Sequence, residues 1–373
     1  MANDFTIWTL EITRCFKAEI QIQACRPSTM SDESPEAWSW HLLGLISPIL
    51  VITGNILGGV YTMMGVIFIW GVGPLLDVLM GESKVIRPPR DSGRPFIALL
   101  WAHGILHFIM MGTFIWFASN EGVTTWLVAA ALSTGLVAAA SAIVTAHELG
   151  HQRHGSPGWR LARALLFSIN YPHFTIEHNH NHHRNVATDA DPASARKEEG
   201  IWSFWIRTIP GQFMSSVRIH NGKGRTGFSN PSWRGFALQL ISFGVLGGMH
   251  FAGFNWALPI IVGWFILSAI AILTLEYVNY IRHWGLRRDS DERRFLANHA
   301  WNTEARWSRW SLIELTRHSD HHIRASVPFW KLRAYPDAPT LPSGYYACWW
   351  PCLVPPIWRR MMNGRFPEDK VSN

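Results

Sequence analysis

Charged residues are scarce in this chain of 373 residues, because Asp, Glu, Lys and Arg together make up only 16% of it. A soluble globular protein carries about 25%. Hydrophobic residues reach 48%, and the 21 Trp belong to a residue type that concentrates at membrane interfaces. The composition therefore argues against a soluble fold and favours an integral membrane protein.

Cysteine is also rare, and none of the four forms a C-x-x-C pair: Cys15, Cys25, Cys348 and Cys352. Iron–sulfur clusters, rubredoxin-type sites and disulfide frameworks need closely spaced or numerous cysteines. The sequence therefore predicts no built-in electron carrier of these kinds. It also lacks an apolar signal-peptide core, so we interpret residues 1–39 as an N-terminal extension before one membrane domain, 40–373.

Lys and Arg are absent from three long stretches, residues 41–81, 95–152 and 235–281. A membrane-spanning helix needs roughly 20 apolar residues, so each stretch has room for two. The sequence thus predicts an all-α integral membrane protein. Its six transmembrane helices are expected near residues 40–58, 59–81, 95–118, 122–146, 235–256 and 258–281.

Positive charge is concentrated between and after these stretches, above all in segments 147–234 and 282–373. By the positive-inside rule, both segments and both termini are predicted to be cytoplasmic, in a multi-pass protein of the inner (cytoplasmic) membrane. The net charge of +7 follows from this distribution and does not indicate nucleic-acid binding.

Histidine is abundant where charge is scarce, with 18 in the chain and eight of them between residues 147 and 183. The patterns H-E-x-x-H, H-x-x-x-H-H and H-x-x-H-H each place imidazoles at helical spacings, near the cytoplasmic ends of predicted spans. The candidate nitrogen donors are His147, His151, His178, His182, His183, His318, His321 and His322.

Eight imidazoles exceed the three or four protein ligands that one zinc ion takes, so they suit two metals. Imidazole binds Zn, Cu, Fe and Ni alike, so the residues alone do not choose the metal. The clusters therefore predict a histidine-rich two-metal site at the membrane surface.

Two other classes of protein explain less of the sequence. An intramembrane metallopeptidase would use H-E-x-x-H and a third ligand such as Asp77, but it leaves the second and third histidine clusters without a role. A transporter should carry polar residues or broken helices at the midplane, and the spans offer little beyond Asp77, His103 and His107. We expect structural anchoring from Asp77 and helix–helix hydrogen bonds from the two histidines.

The three clusters, with "VATDADPASAR" after the second and "LPSGYYACWWPCLVPPIWRR" after the third, resemble the integral-membrane alkane monooxygenases. "PLLDVLMGE" and "EYVNYIRHWGL" are further matches, and the resemblance covers about residues 40–362. The same family includes xylene and cymene methyl-group monooxygenases and is more distantly similar to membrane fatty-acid desaturases.

What the resemblance implies is a non-haem diiron monooxygenase that uses O2 to hydroxylate the terminal methyl group of alkanes. Electrons would come from a separate rubredoxin or ferredoxin with its NAD(P)H reductase. The alternative substrate is the methyl group of an alkyl aromatic of the xylene or cymene type. A methyl C–H bond offers a protein nothing to protonate or attack, so the cofactor must carry the hard step.

The surroundings of such a site can also be anticipated. The hydrocarbon would arrive from the bilayer between spans, where Trp70 and Phe114 are candidates to limit chain length. The basic cytoplasmic face suits a small acidic electron donor, although topology alone also explains its charge.

The resemblance further assigns His283 as a ninth iron ligand. Five neighbours are predicted to orient the ligands: Glu148, Glu177, Glu276, Asn279 and Asp320. The residue before the ninth ligand is usually Glu in the family, but here it is Arg282. We expect Arg282 to project away from His283 and to reach the headgroups or the electron donor.

Overall fold

The computed structural model describes residues 35–83, 92–288, 292 and 294–367. Within these ranges the only β-pairing is a pair of isolated bridges, Glu82 with Ala305 and Asn302 with Thr340. The predicted all-α class is confirmed. Residues 1–34 of the predicted N-terminal extension, 1–39, lie outside the described residues.

Thirteen helices follow one another along the described part of the chain. They are α1 Trp38–Leu57, α2 Gly59–Leu79, α3 Arg94–Glu121, α4 Thr125–Gly150, α5 Pro157–Ser168, α6 over 174–185, α7 Ile201–Asn221, α8 Pro231–Phe251, α9 Ala257–His283, α10 Arg306–Ser311, α11 His318–Ile323, α12 Trp349–Cys352 and α13 Pro355–Met362. Short 3-10 turns lie at Gly227–Ser229, Ala297–His299 and Phe329–Lys331.

Five of these helices, α1, α2, α3, α4 and α9, are long and apolar enough to cross a membrane. They coincide with five of the six predicted spans, so the chain is a multi-pass membrane protein. The remaining prediction, near 235–256, coincides with α8, which has 21 residues. Arg234, Gln239 and His250 make α8 less apolar than the other five, and the count of six spans stays a prediction.

Helix α4 is the centre of the bundle, because 78% of its apolar window is buried, against 28–44% for the other candidate spans. It packs closely on α9 at Gly135, where a Cβ atom would lie 2.4 Å from the carbonyl oxygen of Leu267. Only glycine permits this approach, and small residues serve the same purpose in other membrane bundles. Both helices end at the same end of the bundle.

The segment after residue 294 is fixed across that end by Asp77, near the end of α2. Its carboxylate accepts hydrogen bonds from the hydroxyl and N–H of Ser308, at 2.7 and 3.0 Å, and from the N–H of Tyr346, at 2.9 Å. A Cβ atom at Gly344 would lie 2.2 Å from the same carboxyl group. Asp77 is therefore a structural anchor, as predicted.

The two histidines of α3 also have structural partners. His103 Nδ1 lies 2.7 Å from the Ser141 hydroxyl of α4, and His107 Nε2 lies 2.7 Å from the Ser168 hydroxyl of α5. The predicted helix–helix hydrogen bonds are confirmed, and these side chains stand apart from the metal-ligand candidates.

Candidate metal centre

The predicted ligand histidines converge where α4 and α9 end. Eight of them form two groups in which the donor nitrogens all lie within 4.8 Å of one another. Group one is His147, His151, His178 and His321, and group two is His182, His283, His318 and His322. Each group offers the three or four protein ligands that a metal ion requires.

The remaining predicted ligand, His183, belongs to neither group of four and lies between them. Its Nε2 is 3.0 Å from Nε2 of His178 and 3.1 Å from Nε2 of His321 in group one. Its ring centroid is 4.5 Å from that of His322 in group two. His183 is therefore placed to act as a further ligand of group one, and it also borders group two.

Local helix geometry explains how α6 supplies both groups. Residues His178–His182 form a π-helical turn, a feature that often marks functional sites. Its wider turn brings His183 beside His178, five positions earlier, while His182 points into group two. Ordinary helical spacing does not predict this division.

The short helix α11 also serves both groups. His318 and His322 face group two at i and i+4, with their Nε2 atoms 2.9 Å apart, and His321 faces group one. Asn302 holds the helix in place, because its amide oxygen accepts from the N–H of Ser319, at 2.9 Å, and its nitrogen donates to the Ser319 hydroxyl, at 2.7 Å.

Several candidate donor atoms are available to bind a metal. The buried Nε2 atoms of His147, His151 and His182 have no hydrogen-bond partner. A histidine nitrogen binds zinc at about 2.0–2.1 Å, so two neighbouring ligands of one ion lie roughly 3 Å apart. The Nε2 separations of 2.9 and 3.0 Å between His318 and its two neighbours in group two match that spacing. These residues fit a pair of bound metal ions.

Electrostatics keeps most of these rings neutral. Burial, and then repulsion from the other histidines, holds the pKa values of His178, His183, His321 and His322 well below the usual histidine value. A neutral imidazole has a free lone pair and does not have to release a proton to bind a metal.

His182 is the exception. Burial lowers its pKa, but the charge and hydrogen bond of Asp191 outweigh that effect and raise it. The Asp191 carboxylate lies 2.9 Å from Nδ1 of His182, which leaves Nε2 free to face the metal. Asp191 is held in turn by the Ser194 hydroxyl, at 2.6 Å. The histidine patterns do not predict Asp191, although it lies in the family-like phrase "VATDADPASAR".

The carboxylates predicted to orient the ligands instead accept hydrogen bonds from other groups. Glu148 accepts from the N–H of Phe329, and Asp320 from Arg324, the Tyr335 hydroxyl and the N–H of Arg333. No hydrogen bond within the described ranges joins these acids to a ligand ring. They fix the loop that covers the site.

Deeper in the bundle, Glu276 accepts from four side chains, and Asn279 is one of them: Tyr171, Thr208, Gln212 and Asn279. Glu177 accepts a hydrogen bond from the side-chain nitrogen of Asn181 at 2.7 Å. Both acids therefore position helices around the ligands rather than binding a ligand ring.

An apolar cavity of about 60 Å³ reaches group one from between α2, α4 and α9. His147 and His178 form part of its wall, and no histidine of group two does. Trp70 also lines it, whereas the other predicted size-limiting residue, Phe114, is fully buried elsewhere against Gly263. The arrangement can hold an apolar molecule against group one while excluding water.

Comparison with known proteins identifies the family. Residues 124–351 match the model of the fatty acid desaturase family. Alkane 1-monooxygenase of Ectopseudomonas oleovorans is 32% identical over 318 residues, which are 80% of this chain and 77% of that protein. The chain belongs to the alkane 1-monooxygenase family. It is a monooxygenase of the oxidoreductase class, as the resemblance implied.

Other relatives extend the alkane 1-monooxygenase match. Alkane 1-monooxygenase 1 of Pseudomonas aeruginosa is 31% identical over 365 residues, covering 90% of this chain and 92% of the relative. The xylene/toluene monooxygenase hydroxylase component of Pseudomonas putida is 30% identical over 233 residues, 61% of each chain.

One prediction about this alkane monooxygenase homologue is wrong. Arg282 does not reach the membrane surface, because its side chain is only 2% exposed and lines the cavity. Its Nε donates to the Tyr345 hydroxyl at 3.1 Å, and its main-chain oxygen accepts from the N–H of Trp301 at 2.8 Å. The segment after residue 294 folds over the last turn of α9 and buries a position that the helix alone would expose.

Proposed function

We propose that the protein is a non-haem diiron monooxygenase that hydroxylates the terminal methyl group of medium-chain alkanes. The reaction takes R–CH3, O2, two electrons and two protons to R–CH2OH and water. One observation carries this proposal. Two adjacent groups of imidazoles, most of them neutral, lie at the end of an apolar cavity between the spans, with His147 and His178 on its wall.

The nine histidines are the residues that would hold the metals, with His183 next to both groups. A bound iron pair would supply the oxidising power that an unactivated C–H bond requires. The chain's own contribution is to orient one carbon and to keep water away. The rings of Phe174 and Trp349 and the side chains of Ile143 and Leu275 provide an apolar wall for this purpose.

The electrons would come from a separate rubredoxin or ferredoxin. His151 and His183 are the least buried ligand candidates, and Arg153 and Arg184 beside them in sequence are exposed. Exposed positive charge next to the metals favours docking of a small acidic protein. We therefore expect Arg184 and its neighbours, and not Arg282, to contact the electron-donor protein.

The membrane orientation belongs to the same proposal. We place the metal centre and both termini on the cytoplasmic side of the inner membrane, because the short connections at the other end of the bundle lack Lys and Arg. A reporter fused after residue 367 should be active in the cytoplasm. Periplasmic activity of that fusion would reverse the assignment.

Methyl-group hydroxylation of xylene-like aromatics is the second candidate. It is favoured by the aromatic side chains on the cavity wall, namely Trp70, Phe174, Tyr277, Tyr345, Tyr346 and Trp349. The relative named as a xylene/toluene monooxygenase component points the same way.

A competition experiment tests the proposal. Cells that co-express the chain with a rubredoxin or ferredoxin and its reductase receive octane and p-xylene together, and a His178→Ala variant serves as the control. We expect 1-octanol to be the main product in cells with the unaltered chain. Excess 4-methylbenzyl alcohol would favour the second candidate, and no product from either hydrocarbon would contradict both.

A further inference from the structure

Arg282 is a buried cation without an anion. Its Nε donates to the neutral hydroxyl of Tyr345, at 3.1 Å, and Nη2 donates to the carbonyl of Leu315 at the long distance of 3.5 Å. Its guanidinium carbon lies 5.4 Å from the Tyr345 ring centroid. No carboxylate in the described ranges forms a hydrogen bond or an ion pair with it. A buried charge in this state is costly unless a partner neutralises it.

A second deeply buried arginine, Arg309, does have carboxylate partners. Arg309 is 1% exposed and forms ion pairs with Glu36, Glu304 and Glu314. The fold therefore supplies carboxylates to a buried guanidinium where the role is structural. Arg282 differs because it has none.

Arg282 lines the cavity, and not all of its guanidinium N–H groups have a partner. Three other polar side chains of the wall already have partners. Asn279 donates to Glu276, the Tyr277 hydroxyl donates to the carbonyl of Tyr345, and the Tyr346 hydroxyl lies 3.2 Å from that of Ser311. The Nη1 group of Arg282 makes no hydrogen bond within the described part of the chain. The guanidinium is thus a polar group of the cavity wall that still needs a partner.

We propose that Arg282 extends the substrate range of this cavity beyond hydrocarbons, because its guanidinium binds the carboxylate of a compact acid that also carries a methyl group. A substrate with a carboxylate at one end and a methyl group at the other would neutralise the guanidinium and present its methyl group to group one. Because Arg282 and His147 line one small cavity, the carboxylate and the methyl group must be close together. A compact acid, such as a methyl-substituted aromatic carboxylate, fits these limits.

This inference rests on the proposed hydroxylase function of the same cavity, but binding can be measured without turnover. The full-length enzyme, purified in detergent with its iron and without an electron donor, is titrated with p-toluate, p-toluamide and p-xylene. The three molecules share a methyl group and a ring and differ in what faces Arg282. A charge-assisted, bidentate contact should make p-toluate bind about tenfold or more tightly than p-toluamide.

Two variants assign that preference to the residue. Arg282→Gln should weaken p-toluate binding by about tenfold or more and change p-xylene binding little, because only the carboxylate loses a partner. Arg282→Lys should restore part of the preference, since it keeps the charge but not the planar fork. Iron content and thermal melting establish that both variants remain folded.

Several results would overturn the inference. They are equal binding of p-toluate and p-toluamide by the unaltered enzyme, an unchanged preference in Arg282→Gln, or an equal loss for all three ligands. The comparison of p-toluate with p-toluamide is decisive even if the variants fail to fold. If p-toluate binds through Arg282 while octane and p-xylene are not hydroxylated, only the proposed hydrocarbon substrates are wrong. If alkanes are hydroxylated and p-toluate does not bind, only this inference fails.

Discussion

The two histidine groups have nearly the same composition but different surroundings. Group one lies on the wall of the apolar cavity through His147 and His178. Group two lies away from it, and its His182 is paired with Asp191. One group therefore faces the space that an apolar molecule can occupy, and the other is held by a charged partner.

This difference indicates a division of labour between two otherwise similar sites. A carboxylate on the outer nitrogen of a ligand fixes the ring and strengthens its bond to the metal. Beside the cavity, a carboxylate would introduce charge where an apolar substrate has to fit. We therefore expect group one to define the reacting position and group two to retain its metal more firmly.

The largest effect should come from two single variants of α11, each of which removes one ligand from a different group. His321→Ala and His318→Ala change positions three residues apart on α11, and each should lose more than about 100-fold in activity, beyond the 10–100-fold typical of outer-shell changes. Each variant should keep about one of about two irons per chain, because the groups are separate. Iron analysis and octane turnover measure both effects.

His283→Ala extends the same comparison to the ninth predicted ligand, which should behave like His318→Ala. Full iron occupancy in His283→Ala would remove His283 from the ligand set. Loss of both irons in every variant would show that the groups do not bind independently.

A smaller effect should follow when group two loses its charged partner. Asp191→Asn should weaken metal binding at group two by about 10–100-fold and leave group one close to unchanged. Glu148→Gln is the matched control, because its oxygen only accepts from the N–H of Phe329, which an amide oxygen can also do. Stepwise chelation with iron analysis measures the two affinities. If Asp191→Asn weakened metal binding equally at both groups, the proposed difference between the groups would be wrong.

On the side of group one, the cavity should be adjustable without loss of metal. Trp70→Ala removes a large ring from the wall, so turnover of longer alkanes relative to octane should rise by a factor of about ten or less, the range for small changes in a hydrophobic pocket. Phe114→Leu is the control, because Phe114 packs against Gly263 and does not line the cavity. The measurement is product analysis over a series of alkanes of increasing chain length. If both variants changed the preferred chain length equally, the assignment of Trp70 to the cavity wall would be contradicted.

The smallest effect should appear in the pH dependence of the metal-free protein. The raised pKa of His182 means that its ion pair with Asp191 stabilises the fold at pH values below that pKa and is lost as the pH rises through it. His178 and His321 have lowered pKa values, so their burial destabilises the fold below about pH 6.5, where the unfolded chain binds protons. Asp191→Asn should therefore lower the melting temperature by a few degrees more near about pH 6 than near about pH 9. Equal shifts at both values would contradict a charged pair.

The features that the sequence determined by itself are those that depend on local spacing. Charge-free stretches of spanning length predicted α1 to α4 and α9, because a helix that crosses a membrane cannot easily carry Lys or Arg. The three histidine patterns indicated a two-metal site, since side chains three or four positions apart share one helix face. The anchoring role of Asp77 followed from the cost of a carboxylate inside a membrane segment.

Only the tertiary structure decided which histidine joins which group. His178 and His183 meet through a π-helical turn, and α11 divides His321 from His318 and His322 because it lies between the ends of α4 and α9. These assignments depend on contacts between residues far apart in the chain, which no local period encodes.

The same reason explains Asp191 and Arg282. Asp191 reaches His182 through the loop that follows α6. Arg282 is buried because the segment anchored by Asp77 folds across the end of α9 and brings Tyr345 against it. A helix taken alone predicts which way a side chain points, but not what later covers it.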